Sequence, residues 1–89
     1  MVKKYKVEFL PIAIKELKKL DKIISQRILD KIHWIANNFE IITPEILSAN
    51  LKRMFKLRVG DWRVIYTVNQ KAKIITIHLI GHRKEIYKQ

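Results

Sequence analysis

The side chains of this chain whose types and spacing could do chemistry lie between Lys52 and Tyr87. They are Lys56, Arg58, Arg63, Arg83 and Tyr87, flanked by Lys52, His78 and His82. A set of cations, imidazoles and a phenol without a metal suits an RNA phosphodiester. The 2′-hydroxyl can attack its own phosphate in line, so the protein need not supply a nucleophile. It has to position the backbone, stabilise charge on the non-bridging oxygens, take one proton and return another to the leaving 5′-oxygen. Arginine serves the charge because its planar fork matches phosphate and stays protonated. Lysine among other cations can act as a base, and histidine as base or acid. Tyrosine can stack on a base or pass a proton. A surface that merely binds RNA would carry the same residue types, so the pattern leaves both readings open.

Other chemistries lack their residues. With no cysteine there is no disulfide scaffold, thiol nucleophile or thiolate zinc site, which fits a reducing compartment. Three histidines with no cysteine beside them do not make a transition-metal site. The eight acids are scattered, with neither paired carboxylates nor a magnesium cluster. Ser25 and Ser48 lack a glycine elbow, and two glycines cannot build a phosphate loop. No cofactor and no metal are expected.

The charge points the same way. The net charge is +11, and it is uneven: residues 1–50 carry nine basic and six acidic side chains, residues 51–89 ten and two. A segment at +8 repels itself and predicts a polyanionic partner. The apolar run Phe9 to Ile14 is broken by Pro11 and stops at Lys15, too short for a signal or a membrane span. The expectation is a cytoplasmic protein with no membrane partner.

The elements that must position these residues fit one domain, residues 1–89, with an apolar fraction of 48%. Tyr5 to Leu10 alternates as a strand. Pro11 suits the first turn of a helix whose stripe is Ile14, Leu17 and Leu20. Asp21 caps a second helix, 22–38, with the stripe Ile24, Ile28, Ile32, Ile35 and Phe39. An irregular segment follows around Pro44, with a helical turn expected at Pro44–Leu47. From Lys52 the period becomes two, giving strands Met54–Val59, Trp62–Val68 and Lys73–Ile80. The fold class is α+β: a helical hairpin on one face of a small antiparallel sheet, in the order β-α-α-β-β-β, the other face open.

The turns set which charges meet. A two-residue turn at Gly60-Asp61 pairs Val59 with Trp62, Arg58 with Arg63, Leu57 with Val64, Lys56 with Ile65 and Phe55 with Tyr66. Paired residues share a face. Phe55, Leu57, Val59, Trp62, Val64 and Tyr66 therefore lie under the helices. Lys52, Met54, Lys56, Arg58 and Arg63 lie on the open face. Arg58 opposite Arg63 is unfavourable unless an anion sits between them. A four-residue loop pairing Val68 with Lys73 puts Ile75, Ile77 and Leu79 in the core and His78 opposite Arg63. Gly81, His82 and Arg83 then emerge beside Arg58, Arg63 and the turn.

Two segments with this spacing, Lys56-Leu-Arg-Val-Gly-Asp-Trp-Arg-Val-Ile-Tyr66 and Ile80-Gly-His-Arg-Lys-Glu-Ile-Tyr87, resemble the RelE branch of the RelE/ParE toxin superfamily. The helices around Leu17-Lys-Lys-Leu20 and Arg27-Ile-Leu-Asp-Lys-Ile32 are similar too. The resemblance implies the RelE-like microbial RNase fold and a type II toxin: a ribosome-dependent endoribonuclease, or mRNA interferase, that cleaves messenger RNA in the A site and inhibits translation. It implies a cognate antitoxin, expected to be acidic, and contact with operator DNA only through the antitoxin complex. By position, Arg63 matches the phosphate-stabilising arginine and Lys56 a strand lysine acting as base or electrostatic partner. Arg83 matches the arginine after the last strand, and Tyr87 the tyrosine that stacks on substrate. Met54 stands where some members carry a second lysine, which Lys52 is expected to replace. The longer C-terminal helix of the family is expected as a stub. Two other functions are compatible with the same fold: a ParE-like toxin that inhibits gyrase by binding, and a non-catalytic module that binds RNA or antitoxin.

Overall fold

The computed structural model describes residues 4–48 and 51–86. Five strands form one sheet in the order β1-β5-β4-β3-β2, with β1 Lys6–Phe9, β2 Glu45–Ser48, β3 Leu51–Val59, β4 Trp62–Asn69 and β5 Ile74–His82. Helices α1 Pro11–Lys18 and α2 Lys22–Asn38 connect β1 onward, and a short α3, Arg83–Ile86, ends the described chain. β1 is parallel to β5, the other neighbours antiparallel. Among the described residues no helix is long and apolar enough to cross a membrane.

The second helix follows its sequence closely. The Asp21 carboxylate accepts a hydrogen bond of 2.8 Å from the Ile23 amide, satisfying a donor that the first turn leaves orphaned. Ile28, Ile32, Ile35 and Ala36 are buried against Val64, Tyr66, Ile75, Ile77 and Ile80 of the sheet. Each large side chain so buried stabilises the fold by about 1.5–3 kcal/mol. Burial pushes the Tyr66 phenol up to about 12, so that side chain is neutral core rather than an acid or base. In α1 the expected stripe moves round by one residue. Ala13 is fully buried with Leu17 and Leu20 against the core, whereas Ile14 is 40% exposed. Ala13, Leu17 and Leu20 keep the four-three spacing of one face, and of the three only Ala13 is fully buried.

Three expectations need correction. Pro44–Leu47 forms no helical turn: Glu45–Ser48 is an edge strand that pairs Glu45 with Lys56 and Ile46 with Phe55. The outer edge of β3 would otherwise present unpaired backbone groups, and Pro44, just before β2, withholds no ladder donor. The β4–β5 register also differs. The strands close at Asn69 and Ile74, with Lys73 in the turn at a φ of 58° and the Asn69 carboxamide oxygen accepting from the Ala72 amide at 3.0 Å. A bulge then leaves His78 as an extra residue, because Tyr66 pairs with Ile77 but Ile65 with Leu79. Beyond it the parity switches. Ile80, not Leu79, enters the core, and Gly81, not His78, stands opposite Arg63.

The second face is not fully open either. α3 packs on β4 and β5, with Ile86 lying over Gly81: a Cβ added there would meet Ile86 Cδ1 at 3.5 Å. Ile65, on that face, is 2% exposed.

Candidate functional site

The site is organised by the turn between β3 and β4. Gly60 has a φ of 60°, a left-handed conformation that costs glycine nothing, and the Gly60-Asp61 pair closes the hairpin in two residues. The register is then as the sequence requires, from Val59 with Trp62 through Arg58 with Arg63 to Phe55 with Tyr66. On the other side of β4, Arg63 pairs with Gly81 and Trp62 with His82. The Arg83 amide donates to the Asp61 carbonyl at 2.8 Å, and Arg83 Nε lies 3.6 Å from Asp61 Oδ1. Arg58, Arg63 and Arg83 therefore converge on one turn, with Lys56 two residues back along β3.

Each of these cations is engaged within the chain. Arg63 is only 9% exposed, and its Nη1 donates to the carbonyl oxygens of Gly60 and Trp62, both at 2.9 Å. The guanidinium is thus fixed in place by the turn. Arg58 Nη2 reaches Glu45 Oε2 at 3.0 Å, and Lys56 Nζ lies 3.3 Å from the same oxygen. The like-charged cross-strand pair is tolerated because Arg63 turns to carbonyls and Arg58 to a carboxylate. The Glu45 carboxyl sits below its ordinary 4.5. Desolvation pulls it upward, but the Lys56 hydrogen bond and the charges of Arg58 and Lys56 outweigh that.

The remaining sequence candidates are placed differently. His82 shares the face of Trp62 rather than that of Arg63. Its Nδ1 accepts from the Lys84 amide at 3.1 Å, and its ring meets Trp62 edge-on at 5.5 Å. It therefore caps α3. His78 is three residues back along β5 from Gly81, roughly 10 Å away, and shares a hydrogen bond of 2.9 Å with Thr67. It does not join the cluster. Lys52 lies on β3 by its backbone, and Tyr87 lies outside the described residues. Glu45 and Asp61 join the site without having been singled out from the sequence. Glu45 is brought in by the pairing of an edge strand that carries no period of its own, although Asp61 could have been read from its place in the turn.

The fold and this constellation define a class, and comparison with known proteins defines it further. A model of the ParE toxin of type II toxin-antitoxin systems matches residues 7–87. A RelE-like toxin protein of Escherichia coli is 34% identical over 86 residues, covering 91% of this chain and 85% of the relative. The toxin of the archaeal RelE-RelB complex from Pyrococcus horikoshii superposes with a TM-score of 0.73 at 26% identity, covering 93% of this chain and 99% of that one. The RelBE2 complex of Mycobacterium tuberculosis gives 0.79 at 21% identity over 96% and 98%, a likeness of fold. The chain belongs to the RelE/ParE family and is a toxin of a type II toxin-antitoxin system.

Proposed function

We propose that this toxin is a ribosome-dependent endoribonuclease that cuts messenger RNA in the A site without a metal and so stops translation. What supports the reading is the convergence of Arg58, Arg63 and Arg83 on the Gly60-Asp61 turn, with Lys56 beside them. The 2′-oxygen forms a bond to phosphorus as the bond to the 5′-oxygen breaks, leaving a 2′,3′-cyclic phosphate and a 5′-hydroxyl. The proton leaving the 2′-hydroxyl goes to a base, and another is delivered to the 5′-oxygen. Arg63, held at a fixed angle by two carbonyls, meets the charge that builds on the non-bridging oxygens. Lys56, Arg58 and Arg83 hold the flanking backbone, and Tyr87, following the family resemblance, stacks on a base. Lys52, further back along β3, stands as a further contact by its place on the strand, and His82 orders the start of α3 next to Arg83. The partners are the ribosome with its messenger RNA and, as in the RelE-RelB complexes, a RelB-type antitoxin. Operator DNA is reached through that complex, in the cytoplasm.

A second reading is favoured by the family model itself, which describes a ParE toxin: inhibition of gyrase by binding. Mapping transcript ends on ribosomes after brief induction separates the two. Cuts within translated codons are expected. Intact transcripts with damaged DNA would establish the gyrase reading instead.

A further inference from the structure

Glu45 is an acid in the middle of a basic face, and the cluster around the turn does not need it for its shape. The β3–β4 hairpin is set by Gly60-Asp61, and Arg63 is fixed by carbonyls. Yet one carboxylate oxygen of Glu45 receives both Lys56 Nζ, at 3.3 Å, and Arg58 Nη2, at 3.0 Å. The Lys56 side chain is 17% exposed, so most of it packs against the protein and brings its ammonium to Glu45. Glu45 lies on the outermost strand, opposite Lys56, on the face that carries Arg63. Two cations on one oxygen is also how a phosphate's non-bridging oxygen is bound.

We infer that Glu45 is a built-in counter-anion: a positioning residue that holds Lys56 and Arg58 in place in the resting toxin and yields them to a backbone phosphate of bound RNA. The inference rests on the RNA reading above. Its consequence is a threshold. An RNA that brings one isolated phosphate exchanges one anion for another and gains little. A strand whose neighbouring phosphates engage Arg63 and Arg83 at the same time displaces the carboxylate. Glu45 thereby lowers affinity for stray single strands and favours a strand presented in a fixed, extended path.

The test is binding, not cleavage. A single-stranded RNA oligonucleotide with 2′-O-methyl groups, which lack the attacking hydroxyl, is titrated by fluorescence anisotropy across salt concentrations. The parent, Glu45→Gln, Glu45→Asp and Glu45→Gln combined with Lys56→Ala and Arg58→Ala are compared, each beside a thermal melt. Glu45→Gln is expected to bind roughly three- to tenfold tighter at low salt, the range for losing two partly exposed ion pairs. Its plot of log affinity against log salt should steepen by about 0.7 for each further phosphate neutralised. Glu45→Asp should return toward the parent, and the triple variant should lose the gain. A structural role alone would lower the melt without steepening the salt plot. A folded Glu45→Gln protein with parental affinity and slope overturns the inference while leaving the RNA reading intact. Absence of salt-dependent RNA binding from parent and variant alike overturns the inference, and only intact transcripts on ribosomes after induction overturn the RNA reading as well.

Discussion

Arg63 concentrates the residue-scale argument, because it is both the most buried cation of the cluster and the one best fixed. On the proposed nuclease reading, Arg63→Ala removes a donor whose contact with phosphate strengthens as charge develops, with an expected loss of roughly 10²–10³ in rate. It also removes two hydrogen bonds to turn carbonyls, and these do not come free. With the carbonyls reached by water, the stability cost is about 1 kcal/mol, or roughly 4–8 °C in Tm for a chain of this size. Arg63→Lys should recover only part of the rate, since a point charge lacks the planar fork. Cleavage on programmed ribosomes beside a melt of each variant checks this. A folded Arg63→Ala protein that cuts at the parental rate would remove Arg63 from the site. Glu45 adds a pH dependence of known sign. Its carboxyl is lower in the fold than its ordinary 4.5, so its contribution is present above that value and lost as pH falls through the lower one. The acid limb of a stability-pH curve below 4.5 should therefore be shallower for Glu45→Gln than for the parent.

Elements were legible in the sequence where their determinants are local. The bounds of α2 and its Asp21 cap follow from period and from one side chain, and the β3–β4 register from a two-residue turn. Asp21→Ala should cost about 1 kcal/mol, read as a lower Tm with an unchanged salt slope for RNA. The β4–β5 register was not legible because Ile77, Leu79 and Ile80 put apolar side chains on both parities. Either alternation could fill a core, and the bulge at His78 decided between them. β2 was hidden for a different reason: Glu45-Ile-Leu-Ser48 has no period, and only a distant strand makes it one. The same non-local pairing hid Glu45 from the site. Lys73 shows the cost of a longer loop. At a φ of 58° it is strained, yet its Nζ meets Glu40 Oε1 at 2.8 Å and ties the β4–β5 turn to the 3-10 turn Phe39–Ile41 that follows α2. The Glu40 hydrogen bond is the main cause that raises Lys73 above its ordinary 10.5, against some desolvation. The tie is therefore complete below that value and fades as pH rises through the higher one. Glu40→Gln should flatten the alkaline limb of the stability curve, and an unchanged limb would show the pair to be idle.

At the scale of the molecule, a net charge of +11 and a set of exposed apolar side chains make two different demands on an antitoxin. The cations around the Gly60-Asp61 turn call for carboxylates, whose attraction is screened over ~8–10 Å near physiological salt. On the helix-covered side, Trp34 is 53% exposed and Ile46 48% exposed. The hollow between α2 and β3 is lined by Ile42, Pro44, Leu57 and Trp34 together with Glu45 and Lys56. Apolar burial of that kind is insensitive to moderate salt and scales at about 25 cal/mol per Å². Affinity for the antitoxin should accordingly fall as salt rises from low to physiological strength, then level off rather than vanish. Trp34→Ala should lower the plateau and leave the slope alone. Arg58→Ala and Arg83→Ala should flatten the slope and leave the plateau nearly untouched. Calorimetry or anisotropy across a salt series resolves the two contributions. An affinity indifferent to salt would mean that the basic face is not where the antitoxin binds, and that the charge is reserved for RNA.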